Sequence, residues 1–169
     1  MAERLSRERI LEVAARLARE DGLDALSMRR IAEQLDVWPM SLYRHFQDKD
    51  ALLDALTDDV RPVAPLPSRR RAWDGQLREL AEQVRVAVLS QPAGLGDRLA
   101  RVLETPAMLD VAAAAEEALE RGGVTADPGA AWRAIATYAF GAAVRGLDDA
   151  AFDGGLELLL DGLRLHVTP

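Results

Sequence analysis

Apolar residues recur at three- and four-residue intervals along almost the whole chain, and no stretch alternates apolar with polar residues as a half-buried strand would. Ile10, Ala14 and Leu17 share one helical face, as do Met28, Ile31, Ala32 and Leu35, and then Leu52, Leu53 and Leu56. Farther on, Leu77, Leu80, Val84 and Ala87 form a stripe, followed by Trp132, Ile135, Ala139 and Ala143, and by Leu156, Leu159, Leu160 and Leu163. A hydrophobic content of 49%, rich in Ala and Leu with 5% aromatics, supplies a sizeable core and favours helix over sheet. The punctuation agrees. Ser6, Ser27 and Asp48 suit helix N-caps; Thr105-Pro106 and Asp127-Pro128 pair a cap with proline at the first helical position; Gly22, Pro62 and Gly122-Gly123 are stops. The spacing predicts helices over about 6–20, 27–35, 39–45, 48–60, 73–90, 96–103, 105–121, 127–147 and 152–165, with 61–72 (RPVAPLPSRRRA) as a linker or bend. The expected fold class is all-α.

Composition narrows the chemistry. The absence of cysteine excludes a disulfide scaffold, a thiolate metal site and a cysteine nucleophile. The two histidines, His45 and His166, lie far apart in sequence, and no glycine-rich phosphate loop is present. Neither a nucleophile–base pair nor a metal cluster can be assembled, so no catalytic residue, metal or cofactor is expected. The charged first residues lack the apolar core of a secretory signal, and no run approaches the roughly 20 apolar residues of a membrane span. A cytoplasmic protein without membrane contact is expected. Net charge is −7, unevenly placed: residues 1–50 hold nine basic and ten acidic side chains, the remaining 119 twelve and eighteen. Any affinity for a polyanion must rest on local placement of basic groups.

Residues 27–46 supply such a placement. A helix starting at Ser27, a tight turn at Asp36-Val37 and a short helix from Pro39 match the layout of a helix-turn-helix, whose second helix enters the major groove. Leu42 and Phe46 supply the buried side of that second helix, which leaves Met40, Ser41, Tyr43 and Arg44 near the outer face and Pro39 at the tip. Arg29 is placed to reach a guanine edge or a phosphate. Tyr43, His45 and Lys49 are spaced to grip phosphates, and the helix beginning at Lys49 offers free N–H groups to another. Ser27, Arg29, Trp38, Pro39, Met40, Ser41, Tyr43, Arg44, His45 and Lys49 are thus the candidate DNA-binding set.

The stretch Leu26-Ser27-Met28-Arg29-Arg30-Ile31-Ala32, then Leu42-Tyr43-Arg44-His45-Phe46 and Lys49-x-x-Leu52-Leu53, resembles the DNA-binding signature of the TetR family over roughly residues 6–56. Ala72-Trp73-Asp74 and the closing Phe152-x-x-Gly155-Leu156-Glu157-Leu158-Leu159-Leu160-Asp161-Gly162-Leu163 resemble its tetracycline-repressor branch. Two positions depart from the pattern. Asp36 stands where many members have Gly, and Trp38 where many have Ser or Thr. Trp38 falls on the N-cap of the short helix without an oxygen to offer, and the expectation is that it touches DNA, at a thymine methyl or a sugar.

The resemblance implies a DNA-binding head over residues 1–47 and a helical effector-binding and dimerisation domain over 48–169, with 48–60 connecting them. It further implies a homodimer joined by a four-helix bundle, a near-palindromic double-stranded operator, and a repressor released when a small molecule fills the C-terminal pocket. Trp73, Leu77, Leu80, Val84, Arg98, Leu103, Met108, Trp132, Ile135 and Tyr138 are expected to line that pocket. Where the tetracycline repressor carries a magnesium-assisted binding set, this chain has Pro65, Leu80, Val84 and Arg98, which are poor magnesium ligands. A mostly apolar effector, with one anionic group for Arg98 or Arg145, is expected instead. Ile135, Ala139, Ala143, Leu156, Leu159, Leu160 and Leu163 are the expected dimer interface, although such residues serve equally as intramolecular core. A dimerisation or adaptor module that no longer binds DNA stays open as the alternative.

Overall fold

The computed structural model describes residues 5–59, 63–92 and 94–168. The regular structure among them is helical: α1 (Arg7–Asp21), α2 (Met28–Gln34), α3 (Pro39–Leu42), α4 (Lys49–Asp58), α5 (Trp73–Leu89), a 3₁₀ segment (Gly96–Glu104), α6 (Pro106–Arg121), α7 (Pro128–Arg145) and α8 (Asp149–Arg164). One antiparallel bridge, Val124 with Val167, is the exception to an otherwise all-α structure. No helix among the described residues is long and apolar enough to cross a membrane.

Side-chain caps set most of the helix starts. Ser6 accepts from the Arg9 amide at 3.2 Å, Ser27 from Arg30 at 3.1 Å, Asp48 from Ala51 at 2.7 Å and Asp127 from Ala130 at 2.6 Å. Each such bond satisfies one of the N–H groups a helix start leaves unpaired, worth about 1 kcal/mol. Asp148 does the same for Ala151 at 2.8 Å, so α8 begins at Asp149, ahead of the expected 152. Two other expectations shift. The helix expected over 39–45 is regular only through Leu42, and α4 ends at Asp58.

The chain groups into two compact units, Met1–Val60 with Gln91–Val102, and Arg61–Ser90 with Leu103–Pro169. By packing, α4 joins α1–α3. In this first unit Leu52, Leu53, Ala55 and Leu56 meet Ile10, Ala14, Leu17, Ile31, Leu42 and Phe46 in one core. Leu95 belongs to the same core, with Leu99 packed against it. In a 3₁₀ turn residues three apart eclipse one another, so Arg98 and Arg101 project to the same side. They meet the Asp50, Asp54 and Asp58 ladder that i, i+4 spacing presents along α4. Arg98 reaches Asp54 and Asp50 at 2.9 Å each, and Arg101 grips both Asp58 oxygens at 2.8 and 2.9 Å. In the second unit α5 packs against α6 and α7, and α7 against α8, around Leu77, Leu80, Val84, Leu119, Trp132, Ile135, Phe152, Leu156 and Leu160.

Candidate DNA-reading head and the faces of the second unit

The α2–α3 unit is held from inside and open outside. Met28, Ile31 and Ala32 bury one face of α2, while Leu42 and Phe46 anchor α3 and the turn that follows it. The amides of His45 and Phe46 both donate to the Leu42 carbonyl, at 2.9 and 3.0 Å, which continues the helical course beyond the regular four residues. Arg7 closes the far end. Its guanidinium donates to the His45 carbonyl at 3.0 Å and lies 4.2 Å from the Phe46 ring centroid. That cation–π contact was invisible in sequence because its partners, Arg7 and Phe46, lie far apart along the chain.

The turn before α3 carries local cost. Asp36 has φ +53°, the one non-glycine residue with positive φ among those described. A left-handed backbone is unfavourable for an L-residue, though Asp tolerates it better than most. Trp38 is the N-cap of α3 and makes no side-chain cap bond, as expected; that omission costs about 1 kcal/mol, partly offset by Pro39 at the first helical position.

The candidate DNA-binding residues fall into two groups. Ser27, Arg29, Trp38, Met40, Tyr43 and Arg44 are exposed, with Trp38 83% and Met40 72% open. Arg44 makes no ion pair among the described residues. Arg29 holds Glu33 at 2.9 Å on an open helix face, and Arg30 is paired with Asp21 at 2.6 Å. Pro39, Ser41, His45 and Lys49 are half-buried. Ser27 spends its hydroxyl on the cap of α2. The Lys49 ammonium donates to the Leu23 carbonyl at 2.8 Å, tying the start of α4 to the α1–α2 turn. This is a structural duty the phosphate assignment overlooked, and it leaves two of the three ammonium N–H donors. A groove lined by Arg29, Ala32, Glu33, Asp36, Val37, Trp38 and Pro39 runs beside the tip; Glu33 and Asp36 give it acidic walls that sequence reasoning did not place there.

The residues expected around an effector do not form one set. Leu77, Leu80, Val84, Met108, Trp132 and Ile135 are buried in the core of the second unit. Trp73 and Leu103 are half-buried. Tyr138 stacks on Phe152 with centroids 5.7 Å apart, and its hydroxyl donates to the Ala151 and Phe152 carbonyls at 3.1 and 2.9 Å. Arg98 belongs to the first unit, where Asp50 and Asp54 occupy it; the hydrogen bond it donates to Asp54 raises its already high pKa. The anion-pairing role expected of Arg98 is therefore corrected. Arg145 is exposed on α7. The buried cation of the second unit is Arg85, bonded to Asp149 at 2.5 Å and stacked on Phe152 at 4.8 Å.

Of the residues expected at a dimer interface, Ile135, Ala139, Ala143, Leu156 and Leu160 are buried within their own unit, and Leu159 and Leu163 are half-buried. The apolar surface lies on the other sides of the same helices. On α7, Ala130, Ala134, Thr137, Gly141 and Val144 share one outward face, and on α8 so do Ala151, Leu158 and Gly162, with Leu165 at its C-cap. Leu158 is 75% and Leu165 87% exposed. A shallow groove of about 390 Å³ runs between the two helices, walled by Ala130, Ala134, Leu159, Gly162 and Leu163, with Asp127 and His166 among its other residues.

Comparison with known proteins places this geometry. The family model of bacterial regulatory proteins of the tetR family matches residues 10–56. The class G tetracycline repressor of Vibrio anguillarum is 37% identical over 94 residues, 54% of this chain and 45% of that protein. The chain spans less than half the length of the first curated relatives it matches. Solved structures match more of it. BioQ, crystallised with its natural double-stranded DNA operator, has a TM-score of 0.77 at 30% identity over 96% of this chain and 100% of that one. A TetR variant of Acinetobacter baumannii AYE in complex with minocycline has a TM-score of 0.73 at 31% identity, over 98% and 100% of the two chains. With its head matched by the family's own model and whole-length relatives at 30% identity or above, this chain belongs to the TetR family of bacterial transcriptional regulators.

Proposed function

We infer that the chain is a sequence-specific DNA-binding regulator, a repressor by default, that works as a cytoplasmic homodimer and leaves its operator when a small, mostly apolar molecule binds. One observation carries the reading: α3 is anchored by Leu42 and Phe46 while Trp38, Met40, Tyr43 and Arg44 stand exposed on its outer side. A short helix held this way presents side chains to a major groove. The relative crystallised with its operator supports the same use. Arg29 reads a guanine or a phosphate, Pro39 and Ser41 border the tip, and Tyr43, His45 and the spare donors of Lys49 hold the backbone.

Residues 1–47 act as the reading head and 48–169 as the responsive part, with α4 as the connection. The outward faces of α7 and α8 suit a twofold four-helix contact, since small residues let helices approach and the leucines fill the gaps. Two heads on that axis meet successive major grooves, about 34–36 Å or a multiple apart, which calls for a near-palindromic site. The effector weakens binding by its differential affinity for the two states. The relative bound to minocycline supports a small-molecule effector. Tetracycline with magnesium fits this chain poorly: Leu80 and Val84, which stand at that binding set, are apolar core. The role is that of a regulator rather than a catalyst.

Mobility shift with the DNA flanking its own gene, across several salt concentrations, tests the reading. Specific binding that weakens steeply with salt is expected, because phosphate contacts release counterions. An adaptor would give no specific shift at any salt.

A further inference from the structure

Trp38 and Met40 are the most exposed large apolar side chains among the described residues of the first unit, and they stand one residue either side of Pro39 at the tip of α3. Local stability is given up at this point: the cap position lacks an oxygen, and Asp36 takes a left-handed backbone two residues earlier. Such concentrated costs mark functional positions. Resting on the DNA-binding reading above, we propose that Trp38 and Met40 form an apolar clamp for the 5-methyl group of one thymine in each operator half-site. The partner follows from chemistry. The thymine methyl is the apolar group that a base presents in the major groove. A sugar–phosphate partner is disfavoured because Glu33 and Asp36 line the groove beside Trp38, and their carboxylates repel phosphate. The neutral edge of a base meets no such repulsion.

The test uses the full chain and a duplex it selects from a randomised pool. Each thymine of that duplex is replaced in turn by deoxyuridine, which removes the methyl and nothing else. One position per half-site is expected to lose affinity about fourfold, the value of one buried methyl-sized group, and both together about fifteenfold. Trp38→Ser and Met40→Ala proteins, checked for unchanged melting temperature, bind more weakly and lose the penalty at that position. A selected site in which no thymine is sensitive to demethylation overturns the clamp and leaves the regulator reading standing. So does a Trp38→Ser protein that keeps the full penalty. Failure to select any duplex at any salt overturns both.

Discussion

Leu158→Lys separates the folding of the chain from its pairing. Leu158 is 75% exposed on α8, and Lys matches Leu in helix propensity, so the isolated fold should change by no more than about 0.5 kcal/mol. In a twofold dimer the same substitution acts twice. Burying a whole leucine is worth roughly 1.5–3 kcal/mol; three quarters of each side chain is still available to bury, giving about 1–2 kcal/mol per copy and about 2–4 kcal/mol per dimer. The dimer dissociation constant should therefore rise about 30- to 1,000-fold, more if the two ammonium groups face one another. Sedimentation velocity across a concentration series reads this directly, with Leu109→Lys as the control on α6, where the side chain is 57% exposed but lies off the proposed face. Affinity for a two-half-site duplex should fall with dimerisation, while affinity for a single half-site stays put. A Leu158→Lys protein that pairs as tightly as the parent would place the twofold contact elsewhere and refute the reasoning from exposed faces.

Other substitutions test the interior. A Cβ at Gly155 would collide with the Tyr138 hydroxyl and ring, so Gly155→Ala should destabilise by about 1–3 kcal/mol despite its helix propensity and lower the melting temperature by about 2–12 °C. The penalty should shrink in a Tyr138→Leu background, and a double-mutant cycle without coupling would sink the explanation. Asp36→Gly relieves the φ of +53° and should raise the melting temperature by a few degrees in differential scanning fluorimetry. Acid should weaken the second unit through Arg164. Hydrogen bonds from Arg164 hold the Asp74 and Glu157 carboxyls below the ordinary carboxylate range, Arg78 adding to the effect at Glu157. Because the unfolded chain takes up these protons first, stability is intact near neutral pH and declines as pH drops below about 4. Melting curves at pH 7 and pH 3.5 should show Arg164→Met losing less on acidification than the parent, and equal losses would remove Arg164 from the account.

Helix positions were legible because caps are local. Ser6, Ser27, Asp48 and Asp127 each accept from the amide three residues on, and each was readable from residue type and spacing. Asp148 was not among the expected caps, and the last helix, expected from 152, begins at Asp149. Orientation was the harder matter. Helix α8 carries Leu156, Leu158, Leu159, Leu160 and Leu163, on most sides of the helix, and α7 carries alanines inside and out. A pattern so uniform has no direction, so the choice between core and pairing face waited on packing. The expected effector set carries the same ambiguity, since apolar residues at helical spacing look alike whether they wall a cavity or fill one.

The head raises a last physical question, how a chain of net charge −7 engages a polyanion. Bulk charge is a poor guide, because charges farther apart than a Debye length of about 8 Å are screened at physiological salt. What matters is which cations near α3 are free. Arg30 is engaged by Asp21, and Arg98 and Arg101 are absorbed by the α4 aspartates, so the acid of that ladder is locally neutralised. Arg44 stays open. Arg29 is held by Glu33, yet its side chain is 84% exposed, and an exposed i, i+4 pair is worth about 0.3–0.5 kcal/mol. A bidentate arginine–guanine contact discriminates by about 1–3 kcal/mol, so releasing Glu33 is a small toll on a larger gain. If Arg29 meets a guanine in this way, Glu33 would act as a filter: where no guanine is offered, the pair would re-form and its carboxylate would repel the phosphates. Glu33→Gln should accordingly tighten binding to unrelated duplex more than to the selected site, and an equal gain on both would show that Glu33 contributes only bulk charge.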